Sequence, residues 1–305
     1  MANYNQVTVF TPQFEDGLYQ KFDPIRMFMK EDSVGAGAQT VSIPVSTAIN
    51  FTDITASGHT YPRTASTRSD TETTYNLTQI EVNPFRIGDW GEFVTNASLR
   101  ESIFNEVTGV LGDYATRVIF NGLWSTASGY DYASTSGSIT YTNRHGKTGC
   151  KGLTISDIAS IAKMMDLQNV PRDGNRYLVL DPEMYTGFLL GLAAIGYEDT
   201  ATQAFRTAQL PMIHGFNVVQ MFEVNHVTAA NAAVKDPADA SVNTHLNAGL
   251  ALHKNFVGFA ASDVRLHLQE SNPEYYGAVI SGSFYAGGSY RRATPIGCIT
   301  VYEGV

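Results

Sequence analysis

The residues most suggestive of nucleotide chemistry are a Gly-Lys-Thr triplet at 146–148 and two glycines near the N-terminus. The triplet matches the end of a phosphate-binding loop, in which backbone amides and a lysine hold the phosphates. Tyr141 stands where the first glycine of that loop belongs. Gly35 and Gly37 supply two thirds of a dinucleotide-binding motif, but Thr40 replaces its last glycine and no βαβ pattern surrounds it. The sequence therefore predicts no nucleotide cofactor.

Metal ligation and covalent catalysis leave no motif either. The seven histidines are His59, His145, His214, His226, His245, His253 and His267. No two lie four residues apart on a predicted helix, the spacing that brings two imidazoles to one zinc ion. Cys150 and Cys298 are far apart, and two small buried thiols are a simpler interpretation than a disulfide. We predict no metal, no cofactor and no catalytic residue, although an active site assembled from distant residues stays open.

The composition is unusually poor in charge. The chain has 305 residues, of which 20 are Lys or Arg and 29 are Asp or Glu, so 16% are charged, against roughly 25% in a typical soluble chain. The net charge of −9 excludes a protein that coats nucleic acid by neutralising phosphates. No apolar run is long enough for a spanning helix, and the N-terminus has no signal-peptide pattern. Because interface cores are depleted in charge, this composition predicts buried contacts between subunits.

The first element along the chain that could form such contacts is a candidate hairpin. Val41, Ile43 and Val45 alternate with small or polar residues, and a second apolar alternation precedes residue 82, so both flanks are predicted strands. The segment 52–74 is nearly devoid of large apolar residues and rich in Thr and Ser. The pattern predicts a two-stranded hairpin with a polar tip, reaching about 45 Å if each strand has about 14 residues. A disordered surface loop is an equally supported alternative.

The remaining sequence predicts one long helix, an α/β region and a β-rich end. An apolar stripe with helical periodicity runs through 98–123. A helix at 155–165, a strand at 177–180 and a helix that begins at Pro182, with Asp181 as its N-cap, follow. Three strands are predicted last, at 264–269, 276–285 and 296–302, and we expect them to form one sheet.

This order of elements resembles that of the major capsid proteins of tailed double-stranded-DNA bacteriophages. The resemblance is carried best by the sequence NVPRDGNRYLVLDPEMY at 169–185, which is similar to a segment of the axial domain in that family. It is also carried by LHKNFVG at 252–258 and by the tail from Tyr275 through Thr294-Pro295-Ile296. The resemblance implies an α+β Hong-Kong-97-type capsid fold. That fold has an N-terminal arm, an extended E-loop hairpin, a long spine helix with a peripheral β-sheet, and an inserted α/β axial domain.

Carried onto this chain, the resemblance implies five segments. They are an arm at 1–38, the E-loop hairpin at 39–85, a peripheral domain with the spine helix at 86–151, the axial domain at 152–259, and a returning peripheral sheet at 260–305. No lysine occurs between Lys30 and Lys147, so the isopeptide cross-link that some members form from an E-loop lysine cannot start here. Some members carry a long N-terminal scaffolding segment, whereas only about 40 residues precede the hairpin here. The resemblance therefore implies either a separate scaffolding protein or a chain already numbered without that segment, and Met1 favours the first.

The implied function is structural. Copies of the chain would self-assemble as pentamers and hexamers into an icosahedral head in the virion, with a portal, possible decoration proteins and loosely contacted double-stranded DNA as further partners, and without a membrane. The expected inter-subunit contact residues are Arg63, Arg68, Asp70, Glu72, Arg291 and Arg292. For the last two, an exposed turn is an equally good interpretation. A phage tail, baseplate or other β-rich binding protein is the alternative function, and an enzyme is the third.

Overall fold

The computed structural model describes residues 17–18, 22–35, 37–45, 70–88, 97–123, 132–194, 212–228, 234–236, 239, 244–272, 274, 277–292 and 296–305. The helices bounded within them are α1 (Asp23–Phe28), α2 (Ala97–Leu123), α3 (Ile155–Leu167) and α4 (Pro182–Ala194). In this part of the chain, every helix is too short or too polar to cross a bilayer.

The strands fall into two large sheets and two small ones. They are β1 (Lys30–Glu31), β2 (Thr40–Val45), β3 (Thr71–Asn76), β4 (Thr78–Glu81), β5 (Phe85–Ile87), β6 (Tyr132–Ser134), β7 (Thr140–Tyr141), β8 (Cys150–Lys151), β9 (Arg176–Leu180), β10 (Phe216–Gln220), β11 (His226–Thr228), β12 (Val234–Lys235), β13 (His245–His253), β14 (Val257–Ala261), β15 (Arg265–Asn272), β16 (Gly277–Tyr290) and β17 (Cys298–Tyr302).

The long strand β16 organises the six-stranded sheet. It pairs antiparallel with β14 and β15 on the C-terminal side of the chain, and with β4 and β5 from the N-terminal side. The short β1 adds to β14 in parallel, with Lys30 opposite Gly258. The sheet therefore joins strands that are about 200 residues apart, as the hydrogen bond from Ser281 Oγ to the Val82 carbonyl illustrates with its separation of 199 positions.

The long helix α2 lies against β16 with almost no side chain between the two backbones. A Cβ atom added at Gly288 would lie 2.7 Å from the Ile119 carbonyl oxygen, and one at Gly122 would overlap the Gly288 carbonyl. Along the same face Leu111, Ala115, Ile119, Phe120 and Leu123 are buried. The helix predicted at 98–123 is thus confirmed, and glycines on both elements set its close approach to the sheet.

The base of the predicted hairpin is also confirmed. β2 and β3 pair antiparallel from Thr40 opposite Asn76 to Val45 opposite Thr71. Their inward side chains Val41, Ile43 and Tyr75 join Leu77 and Ala260 of the neighbouring sheet in a small apolar cluster. Of the predicted polar segment 52–74, residues 52–69 lie outside the described residues, and 71–74 belong to β3.

The seven-stranded sheet has the order β10-β9-β13-β11-β12, with β17 beside β13 and β6 beside β17. Helices α3 and α4 cover it, and their buried residues pack with those of β9 and β17. The main members of that core are Ile158, Ile161, Met165, Met184, Phe188, Leu178, Leu180, Ile299 and Val301. The strand and the two helices predicted from 155 to 194 are confirmed.

One predicted sheet membership is wrong. The last strand, β17, was expected beside the two strands before it, but it pairs antiparallel with β13 in the seven-stranded sheet, with Ala248 opposite Tyr302. Every residue of β13 is buried, so its backbone groups need a protein partner on each side, and β9 and β17 provide these. The domain boundaries themselves stay a prediction.

Candidate functional site

The root of the hairpin is fixed to the six-stranded sheet through one carboxylate. The Tyr75 hydroxyl on β3 donates to Asp32 Oδ2 at 3.1 Å, and Arg291 Nη2 lies 3.1 Å from Asp32 Oδ1. Burial, reinforced by the charge of Asp32, raises the pKa of Tyr75 far above its ordinary value, so the phenol stays protonated and donates. The three side chains tie the chain after β1, the hairpin and the end of β16 together.

The outer face of the hairpin root is polar and exposed. Ser42 Oγ donates to Glu72 Oε2 at 2.8 Å, and Thr40 Oγ1 donates to Asn76 Oδ1 at 3.3 Å. Among the described residues β2 and β3 pair only with each other, so each strand keeps one unpaired edge. Unpaired edges with free N–H and C=O groups are ready to pair with another chain. The root is therefore a candidate surface for contact with a second copy.

A second candidate surface is a groove of about 840 Å³ between α2 and the strands β4 and β5, here called the spine groove. Apolar side chains line both walls: Ile103, Val107, Val110 and Leu111 from the helix, and Ile80, Val82, Phe85 and Ile87 from the strands. Val110 and Tyr114 are 68% and 48% exposed. Large apolar side chains gathered around a concave surface are typical of an interaction site.

The structure places the predicted contact residues in different settings. Arg63 and Arg68 lie outside the described residues. Asp70 is exposed just before β3, and Glu72 is exposed within it. All four were predicted from the hairpin sequence, and their part in contacts between subunits stays a prediction.

The two C-terminal arginines, predicted as a pair, have separate roles. Arg291 is largely buried in its ion pair with Asp32 of the same chain. Arg292 is exposed, and its guanidinium lies 4.5 Å from the centroid of the Phe256 ring. Adjacent residues in this turn therefore face different partners, and only Arg292 presents its charge at the surface.

Sequence patterns did not indicate a buried polar network at one end of the seven-stranded sheet. Its centre is Glu303, which is completely buried. The carboxylate accepts hydrogen bonds from the Tyr141 hydroxyl at 2.7 Å, from Asn143 Nδ2 at 2.8 Å, and from Asn247 through its backbone N–H at 3.0 Å and its Nδ2 at 2.9 Å. Burial and the nearby Glu303 raise the pKa of Tyr141 far above its usual range. The network holds β17, β13 and the β7–β8 turn together.

Beside this network lie three buried histidines. The ring centroids of His145 and His226 are 4.6 Å apart, those of His226 and His245 are 4.6 Å apart, and those of His145 and His245 are 5.7 Å apart. No sequence spacing reveals this cluster, because antiparallel pairing of β11 with β13 brings together residues from distant positions, with Thr228 opposite His245. No group of three or more His, Cys, Asp or Glu within the described residues is arranged to hold a metal ion.

The two cysteines are free thiols, and both are buried. Burial raises the pKa of Cys298 to about 12, so this thiol stays protonated at neutral pH. The interpretation as two small buried residues is confirmed. Neither thiol has the low pKa and exposure of a reactive cysteine.

Comparison with solved structures finds phage capsids. The capsid of Ralstonia phage GP4 matches with a TM-score of 0.60 and 13% identity, covering 92% of this chain and 88% of that chain. The capsid structure of cyanophage P-SCSP1u matches with a TM-score of 0.59 and 16% identity, covering 91% and 87%. The head structure of Helicobacter pylori bacteriophage KHP40 matches with a TM-score of 0.59 and 11% identity, covering 90% and 86%.

No family model matches the sequence, and no curated protein matches it. At identities this low the structural likeness concerns the fold, which is the same along nearly the whole length of each chain. The Hong-Kong-97-type fold expected from the sequence is therefore confirmed.

Proposed function

We propose that the chain is the major structural subunit of a bacteriophage head. Copies of it self-assemble as pentamers and hexamers into an icosahedral shell that encloses double-stranded DNA. The observation that carries this proposal is the extent of the likeness: the three capsid and head structures each align with at least 90% of this chain and 86% of their own. A shared domain within unrelated proteins would cover much less.

The hairpin root supports contact between copies. Its two strands bury one face against Ala260 and leave both outer edges unpaired within the described residues. A two-stranded ribbon is marginally stable by itself in water. We infer that the hairpin of one copy lies across a neighbouring copy, which supplies hydrogen bonds and burial that its own chain does not.

The spine groove gives a neighbouring copy an apolar surface on which to lie. Burying exposed side chains such as Val110 and Tyr114 removes apolar area from water, at about 25 cal/mol per Å². Exposed charges on the hairpin, Asp70 and Glu72, with Arg63 and Arg68 of the same segment, set the register of the contact. Each pair of this kind contributes about 0.2–1 kcal/mol, so buried area must supply most of the affinity.

Other proteins and the packaged DNA are proposed partners of the shell, and the virion is its proposed location. The shell would form on a separate scaffolding protein, receive a portal and, in some cases, a decoration protein, and remain part of the virion. Its contact with packaged DNA would be loose, because a chain of net charge −9 repels phosphates. The role is structural rather than enzymatic. The division into arm, hairpin, peripheral and axial segments belongs to the same proposal.

Deletion of residues 57–69 tests the hairpin. The variant should keep the circular-dichroism spectrum of the full chain, because the described core does not include these residues, but it should form no shells. Size-exclusion chromatography and negative-stain electron microscopy measure this directly. Normal particles from the deletion variant would refute the hairpin contact. Failure of the full chain to form any closed shell, alone or with a scaffolding protein, would refute the assembly function and favour a tail or binding protein.

A pair of substitutions tests the spine groove. Val110→Asp places a charge on the 68% exposed apolar side chain of the groove, and it should abolish assembly while leaving the monomer folded. Asn105→Asp adds the same charge at an exposed residue of α2 that does not line the groove, and it should assemble normally. Equal assembly by both variants would show that the groove is not a contact.

A further inference from the structure

Three imidazoles are packed together at one end of the seven-stranded sheet, and most of their ring nitrogens lack hydrogen-bond partners within the described residues. His145, His226 and His245 are at most 8% exposed, and together they form the histidine cluster. Within the described residues, four of their six ring nitrogens have no hydrogen-bond partner: Nδ1 of His145, both nitrogens of His226 and Nδ1 of His245. Buried polar atoms in native proteins are nearly always paired, so a group of four unpaired nitrogens calls for an explanation.

One cationic neighbour of the cluster favours a neutral His145 ring. Arg144 lies on the same turn as His145, with its Nε 3.4 Å from His145 Nε2. Arg144 also forms an ion pair at 3.2 Å with Asp181. A proton added to His145 would therefore lie close to a guanidinium.

The anionic groups near the cluster have other partners. The Glu183 carboxylate, at the start of α4, accepts from the Arg144 backbone N–H at 2.8 Å and from Asn247 Nδ2 at 2.6 Å. Asp236, beside β12, accepts from Asn121 Nδ2. Glu303 is linked to the cluster through Asn143, whose Nδ2 donates both to the Glu303 carboxylate and to the His245 carbonyl. None of these carboxylates is hydrogen bonded to an imidazole nitrogen within the described residues.

Burial and positive charge act in the same direction on two of the rings. Burial, followed by the charge of Arg144, lowers the pKa of His145 to about 4. Burial, followed by the charge of His145, lowers the pKa of His226 to about 3. Neutral imidazoles can stack at 4.6 Å, whereas two imidazolium ions at that distance repel strongly in a region of low dielectric constant.

We propose that the histidine cluster is an acid-sensitive latch: proton uptake separates the three rings and releases the 143–147 turn and β11 from β13. At neutral pH the neutral rings pack and hold these segments closed. In mildly acidic solution the segments open first, while α2 and the six-stranded sheet, which contain no such cluster in their described residues, stay closed. The inference concerns the single chain and does not depend on the proposed assembly.

The sign of the pH dependence follows from linkage. In the open segment the imidazoles of His145 and His226 have a pKa of about 6.5, and in the closed cluster the pKa of each is lower. Below about pH 6.5 the open form binds more protons, so the closed form loses stability as the pH falls toward the lowered pKa values. Burial raises the pKa of Asp181 to about 6, which offsets part of this loss, because the closed form takes up that proton first.

Hydrogen exchange on the full chain, followed by mass spectrometry, tests the latch without any substitution. After correction for the intrinsic effect of pH on exchange, peptides that contain 143–147 and 226–228 should lose protection between about pH 7 and about pH 5. Peptides from α2 and β16 should keep theirs over the same range. Unchanged protection of the first two segments, or an equal loss in all four, would overturn the proposal.

A matched pair of substitutions tests the role of the imidazoles. His226→Phe keeps an aromatic ring of similar volume but removes both unpaired nitrogens, and it should reduce the acid-induced fall in the urea midpoint by about half or more. His267→Phe makes the same change at an exposed histidine of β15 and should leave that fall as in the unchanged chain. If His226→Phe does not fold, His145→Phe replaces it.

Equal acid sensitivity in His226→Phe, His267→Phe and the unchanged chain would refute the latch. A zinc titration at about pH 7.5 distinguishes another use of the same side chains. Saturable zinc binding that protects 143–147 and 226–228 and is lost in His226→Phe would also overturn the proposal, because the cluster would then be a metal site. Absence of such binding, together with the local opening in acid, is the expected result.

Discussion

The two large sheets of this protein differ in the buried contacts that hold them: one has a close contact between backbones, and the other has a hydrogen-bonded carboxylate. The six-stranded sheet meets α2 where Gly122 and Gly288 remove the side chains, so two backbones touch. The seven-stranded sheet holds a buried carboxylate, Glu303, with four donated hydrogen bonds. The first contact depends on shape alone, and the second depends on the hydrogen bonds that the Glu303 carboxylate accepts. A methyl group added at the helix–sheet contact should therefore destabilise the protein, and so should loss of the Glu303 carboxylate from the polar network.

The largest effect should come from Glu303→Leu. The substitution removes the acceptor of four hydrogen bonds. The Tyr141 hydroxyl and the Asn247 backbone N–H lose the acceptor that Glu303 provides, while the side-chain amides of Asn143 and Asn247 keep only the His245 carbonyl and Glu183. We expect the free energy of unfolding to fall by about 3–5 kcal/mol. Urea denaturation measures it. Glu101→Leu, at an exposed position of α2, is the control and should change the stability by less than about 0.5 kcal/mol. A loss below about 1 kcal/mol in Glu303→Leu would mean that the network is not a stabilising unit.

Gly288→Ala should have the next largest effect. Its new Cβ would lie 2.7 Å from the Ile119 carbonyl oxygen, and overpacking of this kind costs about 1–3 kcal/mol. Gly109→Ala is the matched control on α2, where an added Cβ meets nothing within 4 Å. It should raise the stability by about 0.5–1 kcal/mol, because alanine favours a helix. If thermal unfolding shows the same change for both, the close backbone contact is not what positions the helix.

Tyr75→Phe should have a smaller effect. It removes the hydroxyl that donates to Asp32 and should lower the free energy of unfolding by about 1 kcal/mol. Tyr285→Phe is the comparison, since that hydroxyl donates to Gln79 in an exposed setting at 2.9 Å and should contribute less than about 0.5 kcal/mol. Equal losses in urea denaturation would indicate that burial does not strengthen the polar contact at the hairpin root.

The smallest effect should come from Arg26→Gln. Arg26 lies 2.8 Å from Asp23 and 2.9 Å from Glu31 at the surface. Partly exposed pairs of this kind contribute about 0.2–1 kcal/mol, and salt screens them. We expect a loss near the lower end, decreasing further in concentrated sodium chloride. A loss as large as that of Glu303→Leu would mean that the number of polar contacts, rather than their burial, determines stability.

Much of this fold could be predicted from local patterns. The alternation in β2 predicts its buried side, and the structure confirms it. The apolar stripe predicts helix α2, and Leu111 and Leu123 of the stripe are buried, but Val110 and Tyr114 of the same stripe are exposed. Asp181 followed by Pro182 predicts the start of α4. In the structure Asp181 accepts from the Glu183 backbone N–H at 3.0 Å, as an N-cap does. These features depend on residues within one or two turns of one another.

The remaining features depend on pairings between distant strands. The sequence of 296–302 predicts a strand, but it does not indicate which sheet that strand joins. Glu303 follows β17 and looks like a polar end residue in the sequence, yet the correct pairing with β13 places it inside the network. The histidine cluster has the same origin, since β11 and β13 bring its members together.

Because β4 and β5 pair with β16, their sheet can form only late in translation. Residues 78–87 find their strand partner only when 277–290 have been synthesised, and Asp32 meets Arg291 only after that. At about 5–20 residues per second, translation of the intervening 200 or so residues takes about 10–40 seconds. During this interval the hairpin has no fixed base. A nascent chain therefore cannot present a correctly oriented hairpin to its neighbours before nearly all of its sequence has left the ribosome.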